Sequence, residues 1–171
     1  MNEQQLKNIL IGLKTAMRAE FEGYHFYMMA AENTEDARGK DAFKLLASDE
    51  FEHLNFLQAQ YDNLVKNGQP DDALALKAVL PFDGPNPIFS AQIKTRIKDA
   101  HHEMTILAVG IQLELNAINE YNALASAAND PVVSGFYREL AAFENSHYQI
   151  LLAQQDTLKE AYWTENHFQP F

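Results

Sequence analysis

The feature that most constrains the fold of this chain is an internal repeat with an offset of 94 residues. When residues 13–64 are compared with residues 107–158, 14 of 52 positions are identical. Unrelated stretches of similar composition would share on the order of 3 or 4. Apolar residues in the repeated unit recur at helical spacing, and no stretch alternates as a strand would. The sequence therefore predicts two copies of a helical hairpin.

Proline and glycine divide the first half of the chain. Helices are predicted at residues 3–32 and at about residues 41–66, where Asn67 and Gly68 form a typical helix end. Together these helices form the first hairpin, at about residues 3–66. Residues 67–89 hold four of the six prolines and are predicted as a crossover.

The second hairpin is predicted at about residues 90–159. Its first helix runs to about residue 128, and the pattern allows a break around residues 101–104. Asp130 and Pro131 are suited to be the N-cap and first residue of the last helix. An aromatic C-terminal tail is predicted for residues 160–171.

The length of the crossover predicts how the hairpins are joined. A helix of about 26 residues is roughly 39 Å long, whereas a crossover of about 23 residues can span about 75 Å. The crossover can therefore run the length of a bundle and leave the second and third helices parallel. The predicted fold class is all-α, with two helical hairpins joined by a long crossover in one domain over residues 1–171.

Composition and charge exclude several classes of function. The formal net charge is −11, with 24 acidic and 13 basic residues, which argues against nucleic acid or an anionic membrane as a partner. Cysteine is absent, so any metal must be held by oxygen and nitrogen donors. The N-terminal sequence lacks a signal-peptide pattern, and no apolar run is long enough to span a bilayer. A cytoplasmic location is expected.

The repeat carries three pairs of metal-binding side chains on helix stripes that face the core. In each Glu-x-x-His pair the two side chains leave the same helix face. Four inward glutamates would be costly if ionised and unpaired, and no arginine or lysine lies on these stripes to form a buried salt-bridge network instead. The candidate metal ligands are Glu20, Glu50, His53, Glu114, Glu144 and His147.

Two motifs carry a resemblance to a known family. Ala-x-x-x-Glu-x-Glu-Gly-x-x-Phe-Tyr at residues 16–27 and Phe-x-x-Leu-Ala-x-x-Glu-x-x-His at residues 43–53 resemble the rubrerythrin family of the ferritin-like di-iron superfamily. The resemblance implies a ferritin-like four-helix bundle that holds two iron ions. Manganese and zinc also suit such ligands.

The resemblance also implies roles for individual residues. Glu50 and Glu144 would bridge the two metals, and each metal would take one further glutamate, Glu20 or Glu114. His53 and His147 would each give one nitrogen. The repeated tyrosines, Tyr27 and Tyr121, are interpreted as hydrogen-bond donors to the ligands rather than as core residues alone.

Two departures from the family pattern affect the expected activity. Rubrerythrins proper carry a cysteine-rich rubredoxin domain, which this sequence lacks, and an extra glutamate where this chain has Ala117; the symmetric position holds Gly23. The ligand set is therefore more similar to that of bacterioferritin.

The expected function is that of a di-iron oxidoreductase that uses H2O2 or O2 to oxidise a ferrous pair, in oxidative-stress defence or iron handling. An external electron donor, either a rubredoxin or a flavoprotein, would be needed, and a homodimer is expected. A non-catalytic metal-binding or iron-storage protein is the alternative, and oxidation of an organic molecule also stays open.

Overall fold

Four helices make up the fold. The computed structural model describes residues 2–77, 88–91, 93, 97 and 101–166. Within these residues there is no strand, which confirms the all-α fold class. None of the described helices has the length and apolarity that a membrane crossing needs. The helices are α1 (Glu3–Asn33), α2 (Ala37–Asn67), α3 (His101–Ala127) and α4 (Pro131–Glu165).

Polar caps fix most of the helix ends. Asn2 and Gln5 form a capping box at the start of α1. Asp36 and Asp130, which are related by the repeat, cap α2 and α4. At the end of α2, Gly68 adopts the left-handed conformation with φ 69° and its N–H donates to the Leu64 carbonyl. The predicted end of α2 at Gly68 and the predicted start of α4 at Asp130 are therefore confirmed.

Three helix ends differ from the predicted positions. Helix α2 begins four residues before residue 41, because the Asp36 side chain accepts from the backbone N–H of Gly39. Helix α3 begins at His101 instead of near residue 90. The described residues Ile93 and Ile97 lie in 3₁₀ turns. Both are buried, and their spacing of four residues resembles that of a helix, which explains the early predicted start.

Helix α4 continues through the first part of the predicted tail and ends at Glu165. No proline or glycine interrupts it there, and Ala161 packs on the core. Residues 78–87 of the predicted crossover and 167–171 of the predicted tail lie outside the described residues.

The helices pack as two hairpins, α1 with α2 and α3 with α4, and α1 also contacts α3. Apolar side chains form two clusters along the bundle. The first includes Tyr27, Phe43, Leu107 and Leu151, and the second includes Leu13, Leu57, Tyr121 and Leu140. Helices α2 and α3 both run from the first cluster to the second, so they are parallel as predicted.

Repeat-related residues lie in opposite clusters. Leu13 belongs to the second cluster and its counterpart Leu107 to the first; Tyr27 and Tyr121 are separated in the same way. This exchange is what a two-fold relation between the hairpins requires, with its axis across the bundle. The candidate metal ligands lie between the clusters along each helix, so the fold places them in the middle of the core.

A repeated glutamine holds each end of the crossover. Gln60 donates to the Asp71 carbonyl at 2.8 Å and accepts from the Asp71 N–H at 3.0 Å. Its counterpart Gln154 accepts from the N–H of Phe89 at 3.3 Å. Because Gln60 lies late in α2 and Gln154 lies beside the first cluster, the crossover is attached at opposite ends of the bundle.

Asp36 connects the end of the crossover to the first hairpin. Its carboxylate accepts from the N–H of Gly39 at 2.9 Å, from the N–H of Ser90 at 3.1 Å, and from the Ser90 hydroxyl. These hydrogen bonds lower the pKa of Asp36 although burial acts in the opposite direction. One side chain therefore caps α2 and anchors the segment that leads to α3.

We expect Asp36→Ala to lower the free energy of unfolding by more than Asp130→Ala. Loss of a helix cap costs about 1 kcal/mol, and hydrogen bonds to a charged group contribute about 1.5–3 kcal/mol. Asp130 is the matched control because it makes only cap contacts in the described residues, to Val132 and Val133. Urea unfolding of both variants measures the difference, and equal losses would show that the Ser90 contacts add no stability.

Candidate metal centre

The six predicted ligands come together at the centre of the bundle. Each helix contributes at one level: α1 and α3 one glutamate each, α2 and α4 one Glu-x-x-His pair each. In every pair the i, i+3 spacing directs both side chains inward. All six side chains are at most 4% exposed: Glu20, Glu50, His53, Glu114, Glu144 and His147.

These side chains form two overlapping groups, in each of which ligand atoms lie within 4.8 Å of one another. Both groups contain Glu50 and Glu144. Glu20 and His53 complete one group, and Glu114 and His147 complete the other. The two groups thus share two carboxylates, and each adds one carboxylate and one imidazole of its own. This arrangement is compatible with a pair of metal ions.

Both histidines direct the same ring nitrogen into the cluster. His53 Nδ1 lies 3.1 Å from Glu144 Oε1 and 3.4 Å from Glu20 Oε2. His147 Nδ1 lies 3.3 Å from Glu50 Oε1 and 3.3 Å from Glu144 Oε2. The two rings are nearly parallel, with centroids 6.0 Å apart. Nδ1 is therefore the nitrogen that each histidine could offer to a metal.

Many of these buried atoms make no hydrogen bond of acceptable geometry, although the Nδ1 atoms lie 3.1–3.4 Å from carboxylate oxygens. In the described part of the chain they include both carboxylate oxygens of Glu144, one oxygen each of Glu20 and Glu50, and Nδ1 of both histidines. Buried polar atoms without partners are rare and costly. Hard carboxylate oxygens and imidazole nitrogens that converge in this way fit divalent iron, manganese or zinc.

Each buried tyrosine donates a hydrogen bond to a glutamate of the other hairpin. The Tyr27 hydroxyl donates to Glu114 Oε1, and the Tyr121 hydroxyl donates to Glu20 Oε1. Burial and the nearby carboxylates raise the pKa of both phenols well above the ordinary value. The tyrosines therefore stay protonated and hold the two glutamates in position.

The sequence did not reveal one residue that contributes to the candidate metal centre, Asp49. Asp49, 3% exposed, lies 3.2 Å from His147 Nε2, on the side of the ring that faces away from the cluster. A carboxylate in this position orients an imidazole and makes it a better ligand. Its counterpart in the repeat is Phe143. An apolar counterpart was the available signal that residue 49 faces inward.

Burial and mutual repulsion change the protonation of the cluster in the absence of metal. Burial raises the pKa of Glu50 well above its ordinary value, and Glu144 and Glu20 raise it further. Burial and then the charge of Glu144 raise the pKa of Glu114 to about 8. Burial alone would lower the pKa of His53, but Glu144 and Glu20 raise it to about 10. The metal-free cluster therefore retains protons at neutral pH, and cations would displace them.

A cavity of about 220 Å³ lies beside the cluster between α1 and α3. Gly23 and Ala117 are among its lining residues, together with Glu50, Glu114 and Tyr121. A Cβ atom at Gly23 would lie 3.1 Å from Glu50 Oε2, so a side chain there would require this carboxylate to shift by a few tenths of an ångström. The small residues Gly23 and Ala117 therefore leave space next to the candidate ligands.

Comparison with protein-family models relates this chain to a known family. The family model described as Rubrerythrin matches residues 12–104, which include most of α1, all of α2 and the start of α3. No curated protein and no solved structure matches significantly. The match covers more than half of the chain and contains the first Glu-x-x-His pair.

We expect the metal-free protein to lose stability as the pH rises from about 6.5 to about 10. The pKa of His53 is about 10 in the folded chain and 6.5 in its ordinary state, so its contribution is present below pH 6.5 and is lost as it deprotonates. Glu114, with a pKa of about 8 against 4.5, adds a loss that begins at lower pH. Chemical denaturation at several pH values measures this.

Two further measurements test the cause of this pH dependence. His53→Gln should reduce the loss between pH 8 and 10 in the metal-free protein. Saturation with a divalent metal should remove most of the dependence on pH, because the ligands are then deprotonated in the folded state. A metal-free protein whose stability is constant or rises over this interval would contradict the prediction.

Proposed function

The chain belongs to the rubrerythrin family, and we propose that its buried cluster holds two iron ions that reduce hydrogen peroxide or dioxygen. The observation that carries this proposal is the pair of overlapping ligand groups that share Glu50 and Glu144. Two divalent cations offset the charge of four carboxylates, and the donor types suit iron. A pair of ferrous ions supplies the two electrons that, with two protons, convert one H2O2 to two molecules of water.

In this proposal the four glutamates and two histidines hold the ions, and their neighbours control the environment. Glu50 and Glu144 reach both positions, whereas Glu20 and Glu114 each serve one and are held by Tyr121 and Tyr27. The two apolar clusters lie on either side of this layer along the bundle. They exclude bulk water and lower the local dielectric, which strengthens the electrostatic interactions in the centre.

The cavity beside Gly23 and Ala117 is the proposed entrance for the oxidant. Its volume of about 220 Å³ can admit a molecule as small as H2O2 or O2, and its lining includes Glu50 and Glu114. A larger organic substrate would fit less readily in a space of this size, which is below the usual range for ligand pockets. The size of the cavity thus supports a small oxidant.

The partners are also part of the proposal. Turnover requires an external reductant, which we propose to be a rubredoxin or a flavoprotein, since the chain has no cysteine for an iron–sulfur centre of its own. We further propose a homodimer. In its support, α1 and α3 expose large apolar side chains, with Ile11 at 55%, Phe21 at 52% and Val109 at 43%, and association would remove them from water.

An anaerobic titration of the metal-free protein with Fe(II) tests the function directly. We expect a break at two Fe(II) per chain, one for each ligand group. Addition of H2O2 or O2 to separate aliquots should then produce ferric absorption, and the faster reaction identifies the oxidant. Binding without oxidation would instead favour the non-catalytic alternative, and size-exclusion chromatography would distinguish a storage cage from a dimer.

Ala117→Phe tests the proposed entrance. The larger side chain should fill the cavity and slow ferrous oxidation about tenfold or more, which corresponds to about 1.4 kcal/mol in the barrier. Binding of two Fe(II) should be retained. Stopped-flow absorption measures the rate.

Ala123→Phe is the matched control, because Ala123 is an exposed residue of the same helix. It should leave the oxidation rate unchanged. If Ala117→Phe binds two Fe(II) and reacts as fast as the wild type, the oxidant enters elsewhere.

A further inference from the structure

The two halves of the centre differ at one pair of repeat-related positions. Asp49 and Phe143 each precede the glutamate of a Glu-x-x-His pair, and each lies beside the histidine of the other hairpin. Asp49 Oδ2 is 3.2 Å from His147 Nε2. The Phe143 ring has its centroid 5.4 Å from that of His53, at an interplanar angle of 47°. The same place in the fold thus holds a carboxylate on one side and a phenyl ring on the other.

Apart from residues 49 and 143, the two halves of the centre have the same types of residue. Each group contains three glutamates and one histidine, and two of the glutamates are common to both. The remaining glutamate in each group accepts a hydrogen bond from a tyrosine. A difference in metal affinity between the two positions therefore has its clearest source in the surroundings of the histidines.

His147 is prepared to bind a metal through Nδ1. Asp49 Oδ2, 3.2 Å from Nε2, can accept a hydrogen bond from a proton on that nitrogen. When a metal displaces the proton from Nδ1, which lies 3.3 Å from Glu50 and from Glu144, the remaining proton stays on Nε2 and the lone pair of Nδ1 is the ligand. A buried carboxylate behind the ring also increases the electron density that the imidazole offers to a cation.

His53 lacks this support. Among the residues that the structure describes, its Nε2 has no hydrogen-bond partner, although the side chain is fully buried. Phe143 offers no acceptor. Metal binding through Nδ1 requires the proton to be on Nε2, so a buried N–H donor would be left without an acceptor, which is unfavourable.

We propose that the two metal positions are inequivalent, and that Asp49 is the positioning residue that makes the His147 position the tighter one. This inference rests on the proposed metal pair. The His147 position, with Glu114, loads first, and the His53 position, with Glu20, is the more exchangeable. The loss of such a carboxylate behind a ligating histidine typically changes metal affinity by about 10- to 100-fold. The two binding constants should differ by a factor of this size.

Titration of the metal-free protein with Co(II), followed by calorimetry and by visible absorption, measures both constants. The wild type should bind in two phases about 10- to 100-fold apart. Asp49→Asn should weaken the first phase by about tenfold or more and leave the second nearly unchanged, which a general loss of structure would not do. Circular dichroism and thermal unfolding verify that the variant is folded.

The reciprocal change uses the repeat itself. Phe143→Asp places a carboxylate behind His53, as Asp49 stands behind His147, and should bring the second phase closer to the first. Phe143→Leu is the control, since it removes the ring without adding an acceptor, and it should leave the two phases separate.

A measurement on the unmodified protein does not depend on the folding of any variant. With one equivalent of Co(II), anomalous diffraction at the cobalt edge should place most of the metal beside His147 and Glu114. Equal occupancy of the two positions, or preference for the His53 position, would overturn the inference while leaving the metal pair intact. Failure to bind Co(II) and Fe(II) at all would overturn the proposed function as well.

Discussion

The burial of four carboxylates in one layer of a helical bundle is the constraint on which the rest of this structure depends. Ionised carboxylates out of water are costly unless they are neutralised. In the described part of the chain the cationic partners within reach of this layer are the two histidines. Without metal, the cluster balances its charge with retained protons, as the raised pKa values of Glu50 and Glu114 indicate. Two divalent cations would replace these protons, so that folding and metal binding become linked.

The long crossover is the topological condition for that layer. If α2 and α3 were joined by a short turn they would be antiparallel neighbours. The crossover is attached at Gln60 at one end of the bundle and at Gln154 and Asp36 at the other. The two hairpins therefore pack in a two-fold relation. That relation brings His53 and His147 to one level, and it also makes each tyrosine support a glutamate of the other hairpin.

The candidate ligands are the same in both halves of the centre, but the residues behind the two histidines differ, and the two features have different consequences. In the proposed metal pair, the shared Glu50 and Glu144 would let two ions act together on one small molecule, whereas Asp49 and Phe143 would give the two ions different surroundings. A bundle with a fully repeated centre would offer two equal positions. In this chain one half of the repeat has a phenylalanine where the other has an aspartate, and the proposed difference in metal affinity follows from this pair of residues.

The sequence by itself determined the four helices, the crossover and the six residues that converge, because helical periodicity and the repeat are local signals. It located the ends at Gly68 and Asp130, where cap chemistry is explicit, but not the start of α3, since the burial of Ile93 and Ile97 imitates a helix pattern. Only the tertiary structure decided which tyrosine supports which glutamate, that Asp49 lies behind His147, and that a cavity opens between α1 and α3. These depend on how side chains from separate hairpins pack against each other, which no spacing within a single helix encodes.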